Sequence, residues 1–161
     1  MSQNIISLRE VTDNDMELVL AWRNSPLVYQ GFYEQGYRDK GTISWTEHYR
    51  WWNSRYNWKR FIIQVNDGRI TRDVGCVNFS GLDNWNPEVG IFIGEVSLWG
   101  RGVGKKTLSL ALDWLKENGY TAVHTTILKD NLRSIKLFES IGFKKIGDGR
   151  EGEFAYERKP L

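Results

Sequence analysis

Three glycines and three basic residues lie together in one short segment, residues 100–106, which reads Gly-Arg-Gly-Val-Gly-Lys-Lys. An apolar stretch from Val89 to Ile93 precedes it, and an amphipathic run with Leu108 and Leu112 on one stripe follows it. The apolar stretch is short and β-branched, which predicts a strand, and the amphipathic run predicts a helix. A turn between a strand and a helix N-terminus points backbone N–H groups and the positive end of the helix dipole at one place. That arrangement suits a phosphate group.

The backbone would provide most of the binding to such a phosphate. The N–H groups of the turn would surround it, and the glycines would let the backbone approach closely. The basic side chains of the turn would add positive charge. The expected phosphate-binding residues are Arg101, Gly102, Val103, Gly104, Lys105 and Lys106. The alternative is a tight turn from strand to helix without a ligand, and the glycine spacing alone does not separate the two.

Strands and helices alternate along the chain, which predicts an α/β or α+β domain built on a mixed sheet. Predicted strands span residues 5–11, 61–65, 73–80, 89–93, 121–128, 143–146 and 154–158. Predicted helices span residues 13–24, 45–56, the long run that stops at Asn118-Gly119, and a last segment between Asn131 and Gly142. Ser44 and Glu47 form a capping box for the second helix. Residues 27–41 are expected to be a long loop with a helical turn.

The overall composition fits one globular domain that spans residues 1–161. A net charge of +2 gives no reason to expect nucleic acid or a membrane surface as a partner. Residues 1–9 lack the apolar core of a signal peptide, and no apolar run approaches the roughly 18 residues of a membrane helix. The single cysteine, Cys76, is compatible with a reducing compartment, so a cytoplasmic location is expected. His48, His124 and Cys76 lack the spacing of metal ligands, and no metal site is expected.

A second motif follows the glycine turn about thirty residues later. It reads Asn-x-x-Ser-x-x-Leu-Phe-x-x-Ile-Gly-Phe over residues 131–143. Together, the two motifs closely resemble the Gcn5-related N-acetyltransferases, and the order of predicted elements from Ile5 to Arg158 also matches that family. The resemblance implies a mixed, mostly antiparallel sheet of about six to seven strands, splayed between strands four and five and flanked by about four helices.

The resemblance also implies acetyl-CoA as the co-substrate. The glycine turn would bind its pyrophosphate, and the pantetheine arm would slot between the strands at 89–93 and 121–128 and pair with backbone groups. A backbone N–H near Phe92 or Ile93 would stabilise the oxyanion. Beyond the turn, the implied cofactor-binding residues are Ile91, Phe92, Ile93, Asn131, Ser134 and Phe138. Asn131 could contact the cofactor, cap its helix, or do both.

Acetyl transfer to an amine requires that the ammonium lose a proton, that the oxyanion be stabilised and that the thiolate leave. Glu88 resembles the strand-borne glutamate of the family, since it opens the central strand fourteen residues before Gly102. It could take the proton directly or through a water molecule, and the alternative is a solvated residue after Asn86-Pro87. His48 is a second catalytic candidate on the substrate side. It lies in an aromatic helix, where a structural role is the alternative.

Two positions depart from the family pattern. Family members often carry a tyrosine at the position of Phe138, where its hydroxyl protonates the leaving thiolate, and phenylalanine cannot do this. Solvent could serve as the acid, Tyr33 or Tyr37 could reach in, or no acid is needed. Trp99 stands where the family usually has Gln or Arg, and the turn should still bind phosphate because the backbone does most of the work.

The tryptophan-rich first third of the chain indicates the acceptor. Residues 20–24 and 43–52 resemble acetyltransferases that modify the 4-amino group of nucleotide-linked amino sugars, where aromatic rings could stack on a base or sugar. Packing of these tryptophans between helices and sheet is the structural alternative. The other functional readings are an Nα-acetyltransferase of ribosomal or other protein N-termini and a non-catalytic acyl-CoA-binding module. Many proteins that resemble this one are dimers, so a homodimer is possible.

Overall fold

Seven strands form one mixed sheet in the computed structural model, which describes residues 4–54 and 57–161. The strands are β1 (Ile5–Glu10), β2 (Lys59–Asn66), β3 (Thr71–Ser80), β4 (Glu88–Ile93), β5 (Val123–Leu128), β6 (Lys144–Asp148) and β7 (Glu153–Arg158). They lie in the order β1-β2-β3-β4-β5-β7-β6. Neighbouring strands are antiparallel except β4 and β5, which are parallel. The predicted class and the mixed, mostly antiparallel sheet are confirmed.

Five α-helices accompany the sheet over the same described residues. They are α1 (Met16–Arg23), α2 (Pro26–Tyr29), α3 (Trp45–Asn53), α4 (Val103–Glu117) and α5 (Leu132–Ser140). The first predicted helix, at residues 13–24, corresponds to α1, which ends at Arg23. Pro26 then starts a new helical turn, because the N–H that proline lacks is one that the first turn of a helix does not use. A π-helical turn at Tyr33–Tyr37 follows inside the predicted loop. The predicted end of the second helix, near Tyr56, lies outside the described residues.

Side-chain caps set the starts of two helices as the sequence predicts. The Ser44 hydroxyl accepts a hydrogen bond from the Glu47 N–H at 3.1 Å, and the Glu47 carboxylate accepts one from the Ser44 N–H at 3.3 Å. The Asn131 side-chain oxygen accepts a hydrogen bond from the Ser134 N–H at 3.4 Å. Each bond satisfies an N–H that has no partner within its own helix.

The core has two layers, one on each face of the sheet. On one face, Leu108, Leu112 and Leu115 of α4 are buried against the strands, as the leucine stripe predicts. On the other face, α1 and α3 bury Trp22 and Trp52 against Ile62 of β2. Side chains alternate between the faces of a strand, so Phe61 and Ile63, which flank Ile62, belong to the α4 layer. Trp22 and Trp52 are therefore packed between helices and sheet, which is the structural alternative given above for the tryptophans.

A buried carboxylate connects β1 and β3 to the start of α1. Arg9 donates to both oxygens of Asp15, at 2.7 and 2.9 Å, and to Asp73 at 2.8 Å. The backbone N–H of Thr12 also donates to Asp15, at 2.8 Å. The hydrogen bonds from Arg9, and then the one from Thr12, hold the pKa of Asp15 below its ordinary value against the opposing effect of burial. The position of α1 therefore depends on an ionised Asp15.

Replacement of Asp15 by asparagine should lower the free energy of unfolding by about 2 kcal/mol at pH 7, because charge-assisted hydrogen bonds are lost. Since the folded-state pKa of Asp15 is depressed, its contribution is fully present above the unfolded pKa of about 3.9 and is lost as the pH falls through the folded pKa. When the free energy of unfolding is measured in urea over a pH series, the values for the two proteins should therefore converge as the pH falls below about 4. Glu17→Gln, at an exposed position of α1, is the control. An equal loss in both variants would contradict the role of Asp15.

Candidate active site

A cavity opens in the middle of the sheet where β4 and β5 separate. Within the described residues, their register comprises one pair, Glu88 opposite His124. At this closed end, the His124 N–H donates to the Pro87 carbonyl at 3.0 Å and the Thr125 hydroxyl donates to the Val89 carbonyl at 2.8 Å. Beyond these contacts lies a cavity of about 980 Å³. It is large enough for an extended cofactor arm and an acceptor.

The glycine turn forms one end of this cavity. Gly100 and Gly102 have φ values of +75° and +82°, in the left-handed region that favours glycine, and Gly102 is the N-cap of α4. A Cβ atom at either glycine would meet no atom of the described residues within 4 Å, so the space in front of the turn is open. Gly104 has a different role, because a Cβ there would lie 3.0 Å from Leu137 of α5. The turn thus presents backbone, and Gly104 allows α4 and α5 to pack closely.

The structure brings most of the expected cofactor residues together. The expected residues that line the cavity are Glu88, Ile91, Phe92, Ile93, Gly102, Val103, Gly104, Lys105, Asn131, Ser134 and Phe138. Phe138 is buried and packs edge-on against Phe143, with ring centroids 5.0 Å apart. Arg101 and Lys106 belong to the same turn but are exposed and lie outside the described cavity lining. Charge from these two side chains would act on a phosphate from the outer side of the turn.

Arg133 and Trp99 form a contact at the glycine turn that sequence reasoning missed. The Arg133 guanidinium lies over the Trp99 ring, 3.6 Å from its centroid, and the Trp99 indole N–H donates to the Ile93 carbonyl at 2.9 Å. Both residues line the cavity. Burial lowers the pKa of Arg133 from its ordinary value. Where the family usually has a polar residue, Trp99 therefore provides an aromatic ring face. That face holds the Arg133 guanidinium of α5 beside the glycine turn.

The Glu88 end of the cavity also contains Arg150, a second arginine that the sequence analysis did not identify. Arg150 lies in the turn between β6 and β7, with its guanidinium 3.7 Å from the centroid of the Tyr33 ring. It donates to both carboxylate oxygens of the buried Glu153, at 2.9 and 3.2 Å, and these bonds raise the pKa of Arg150. Glu88, Tyr33 and Arg150 all line the cavity. A carboxylate and a fixed cation thus lie around the place where an acceptor would enter.

His48 lies away from the cavity lining and is fully buried. Its Nδ1 lies 3.0 Å from Arg23 Nη1, and its Nε2 lies 2.8 Å from the Met16 carbonyl oxygen. Arginine can only donate and a carbonyl can only accept, so these contacts fit a neutral ring with its proton on Nε2. The ring stacks on Trp51 at 5.6 Å, and Trp51 does line the cavity. This placement favours the structural alternative, in which His48 packs against Trp51 and so supports the wall of the cavity.

Two arginine guanidinium groups lie against the ring of Trp51. The Arg23 guanidinium lies 4.1 Å from the ring centroid and the Arg60 guanidinium lies 3.8 Å from it. Burial lowers the pKa of Arg23 to about 10, which still leaves it charged at neutral pH. These contacts hold the Trp51 ring in one orientation.

A smaller pocket of about 360 Å³ adjoins the cavity on the acceptor side. It shares Phe32, Tyr33, Trp51 and Arg150 with the main cavity. Its further lining residues are Arg23, Glu34, Gln35, Lys40, Ile43 and Glu47. Aromatic rings and cations together can hold a planar group that carries negative charge.

The described residues, 4–54 and 57–161, contain neither a metal-binding cluster nor a membrane-spanning helix. No group of three or more His, Cys, Asp or Glu side chains there is arranged to hold a metal ion. No helix in this part of the chain has both the length and the apolar character that crossing a membrane requires. Cys76 is buried within β3.

Comparison with known sequences matches this chain to a family model and to a relative that aligns over most of its length. A sequence model described as the acetyltransferase (GNAT) domain matches residues 6–144. An uncharacterized protein of Methanocaldococcus jannaschii is 51% identical over 152 residues, which cover 94% of this chain and 31% of that protein. The chain therefore spans about a third of the length of this curated relative.

Comparison with solved structures gives the same fold. The crystal structure of a domain from Methanocaldococcus jannaschii DSM 2661 superposes with a TM-score of 0.92 at 50% identity, covering 98% of this chain and 99% of that one. The aminoglycoside acetyltransferase AAC(6')-Ib in complex with coenzyme A superposes with a TM-score of 0.79 at 16% identity, covering 96% and 95% of the two chains. At 16% identity, this second likeness concerns the fold.

Proposed function

Because this chain belongs to the GNAT acetyltransferase family, we propose that it transfers the acetyl group of acetyl-CoA to a primary amine by direct attack in a ternary complex. We propose further that the acceptor is a small molecule such as a nucleotide-linked amino sugar. The observation that carries the proposal is the shape of the cavity. It runs from the glycine turn to Glu88 and then adjoins a pocket lined by aromatic rings and by charged side chains of both signs.

In this proposal the donor binds along β4 and the glycine turn. The N–H groups at the start of α4 hold the pyrophosphate, helped by the helix dipole and by Lys105. The pantetheine arm lies between β4 and β5 and pairs with backbone groups of Ile91 to Ile93. Asn131, Ser134 and Phe138 form the opposite wall. A backbone N–H near Phe92 or Ile93 stabilises the oxyanion that develops on the acetyl group.

Glu88 is proposed to take the first proton of the acceptor ammonium. Its side chain is 42% exposed, so a water molecule can join it to an amine in the cavity. The neutral amine then attacks the carbonyl carbon of the thioester, and the C–S bond breaks as the tetrahedral species collapses. The second proton of the former ammonium has to reach the leaving sulfur.

Phe138 cannot provide that second proton, because its ring has no hydroxyl group. Of the two tyrosines considered from the sequence, Tyr33 lines the cavity, while Tyr37 stacks behind it with ring centroids 5.4 Å apart. A water molecule that carries the proton from nitrogen to sulfur also completes the reaction. Either route leaves the thiol of coenzyme A, an amide and one proton released to solvent.

The adjoining pocket offers ring faces and cations to a nucleotide-linked acceptor, and two carboxylates, Glu34 and Glu47, also line it. Phe32, Tyr33 and Trp51 offer ring faces for a base or a sugar, and Arg23 and Arg150 offer charge to phosphate. The direct test is an acceptor screen in which free thiol is measured. UDP-linked amino sugars should be acetylated, whereas turnover of N-terminal peptides would favour a protein Nα-acetyltransferase. Tight binding of acetyl-CoA without transfer to any amine would favour a non-catalytic binding module.

Replacement of Arg150 by glutamine should raise the KM for the acceptor by about tenfold or more, because a charge-assisted hydrogen bond contributes about 1.5–3 kcal/mol. The KM for acetyl-CoA should stay the same. Arg150→Lys keeps the charge beside Glu153 and should restore part of the affinity. Arg69→Gln, in the exposed turn between β2 and β3, is the control. An unchanged acceptor KM in Arg150→Gln would contradict an anionic acceptor.

Location and assembly are further parts of the proposal. A cytoplasmic location accords with a single buried cysteine, which is compatible with a reducing compartment. A net charge of +2 gives no reason to add nucleic acid or membrane lipid as a partner. A homodimer is expected by family resemblance, and light scattering of the purified chain tests it.

A further inference from the structure

A row of polar side chains crosses the sheet at the closed end of the cavity. Glu88 of β4 lies opposite His124 of β5, His124 lies opposite Glu157 of β7, and Glu157 lies opposite Lys144 of β6. Directly paired residues share one face of a sheet, so these four side chains are neighbours. His124 is the second histidine of the chain, and the reaction described above does not use it.

The contacts of His124 fix which ring nitrogen carries a proton. Nδ1 lies 3.0 Å from the Asn86 carbonyl oxygen and 3.4 Å from Asn86 Oδ1. The Asn86 amide nitrogen donates to Glu157 at 2.8 Å, which turns Oδ1 toward the ring. Both neighbours of Nδ1 are acceptors, so Nδ1 carries the proton and the neutral ring presents an unprotonated Nε2.

That unprotonated nitrogen faces Glu88. Nε2 lies 3.9 Å from Glu88 Oε2, which is too long for a hydrogen bond. A carboxylate and an unprotonated nitrogen are both acceptors, so they have no reason to approach further. One added proton turns either group into a donor and lets the contact close. The His124 side chain is 35% exposed, so a proton held there can reach solvent.

We propose that His124 is a positioning residue that acts through Glu88 as the second half of a proton-accepting pair. The inference rests on the proposed acetyl transfer with Glu88 as the base. The proton leaves the acceptor ammonium for a Glu88 oxygen, passes to Nε2 of His124 and then leaves to solvent. Glu88 is thereby an ionised carboxylate again before the next acceptor binds. The charged groups around the ring are Glu88 on β4, Glu157 on β7 and, one strand further, Lys144 on β6.

The kinetic test compares His124→Gln with the wild-type protein over a pH series. We expect kcat to fall by about 10- to 100-fold with the KM for acetyl-CoA unchanged. The pH dependence of kcat should also differ between the two proteins, because glutamine cannot accept a proton from Glu88. Added imidazole should restore part of the rate in His124→Ala. Lys144→Gln, at the far end of the row, should behave like the wild type.

A second measurement tests the pair without any acceptor. In ¹⁵N-histidine spectra, the neutral ring of His124 should show its proton on Nδ1, and Glu88→Gln should change the chemical shift of Nε2, which faces Glu88. The chain has two histidines, His48 and His124, so the signals that disappear in the spectrum of His124→Gln are those of His124. An unchanged Nε2 signal of His124 in Glu88→Gln would overturn the pair, as would wild-type rate and pH profile in His124→Gln. If wild-type protein acetylates no amine, the proposed function fails, and the spectra still decide whether the pair exists.

Discussion

Replacement of Glu88 by glutamine should lower kcat for amine acetylation by about 100- to 1,000-fold, within the range that a positioned general base contributes. The KM for acetyl-CoA should be unchanged, because Glu88 lies at the opposite end of β4 from the glycine turn. Glutamine keeps the size of the side chain and its place opposite His124, so the change removes basicity rather than packing. Steady-state rates measured by free thiol give both constants.

The pH dependence of the variant separates a lost base from a damaged site. Without a base, the enzyme depends on acceptor that is already deprotonated, so the residual rate of Glu88→Gln should keep rising with pH. Glu95→Gln is a matched control just beyond the other end of β4, where the side chain lies outside the described cavity lining. An equal fall in kcat for both variants, or a pH-independent deficit in Glu88→Gln, would contradict the role of Glu88.

Replacement of Trp52 by alanine should lower the free energy of unfolding by about 3–5 kcal/mol, the usual range for removal of a large buried aromatic side chain. Trp52 is fully buried between α1 and β2, and its indole N–H donates to Asp13 at 3.0 Å. For a chain of this length, the melting temperature should fall by about 6–20 °C. Urea denaturation and thermal melts measure the two quantities.

Trp52→Phe separates the ring from the hydrogen bond. Phenylalanine retains most of the buried surface and loses the bond to Asp13, so we expect a loss of only about 1–2 kcal/mol. Equal losses in the two variants would show that the hydrogen bond, rather than packing, fixes α3 on the sheet. In either variant that folds, acetyl-CoA binding should persist, because the glycine turn lies on a separate part of the fold.

The fold could be predicted because its signals are local. The short apolar stretch of β4, the leucine stripe of α4 and the caps at Ser44 and Asn131 are patterns within single elements, and all are present in the structure. The differences fall at element ends. β2 and β3 extend beyond the predicted spans because their pairing continues at both ends, from Lys59 opposite Phe79 to Asn66 opposite Thr71. Such pairing depends on the partner strand rather than on local composition. β5 starts two residues later than predicted, at Val123.

The candidate site could be predicted where its residues belong to contiguous sequence motifs. The glycine turn and β4 are contiguous, and their strand–turn–helix order indicates a phosphate site. Arg133, Arg150 and His124 enter through pairs that join distant segments: Arg133 with Trp99, Arg150 with Tyr33, and His124 with Glu88. No periodicity encodes these contacts, because they depend on the register of β5 and on the turn between β6 and β7.

The separation of β4 from β5 also bears on aggregation through strand edges. Strand edges with unused backbone groups are templates on which other chains can add a strand, and they promote aggregation when they lie on the surface. Among the described residues, β4 and β5 register only at Glu88 and His124, so the rest of their facing edges is free of the sheet ladder. Those edges line an internal cavity instead of the rim of the sheet. The fold thus keeps backbone groups available for a narrow, extended ligand while a flanking chain has little access to them.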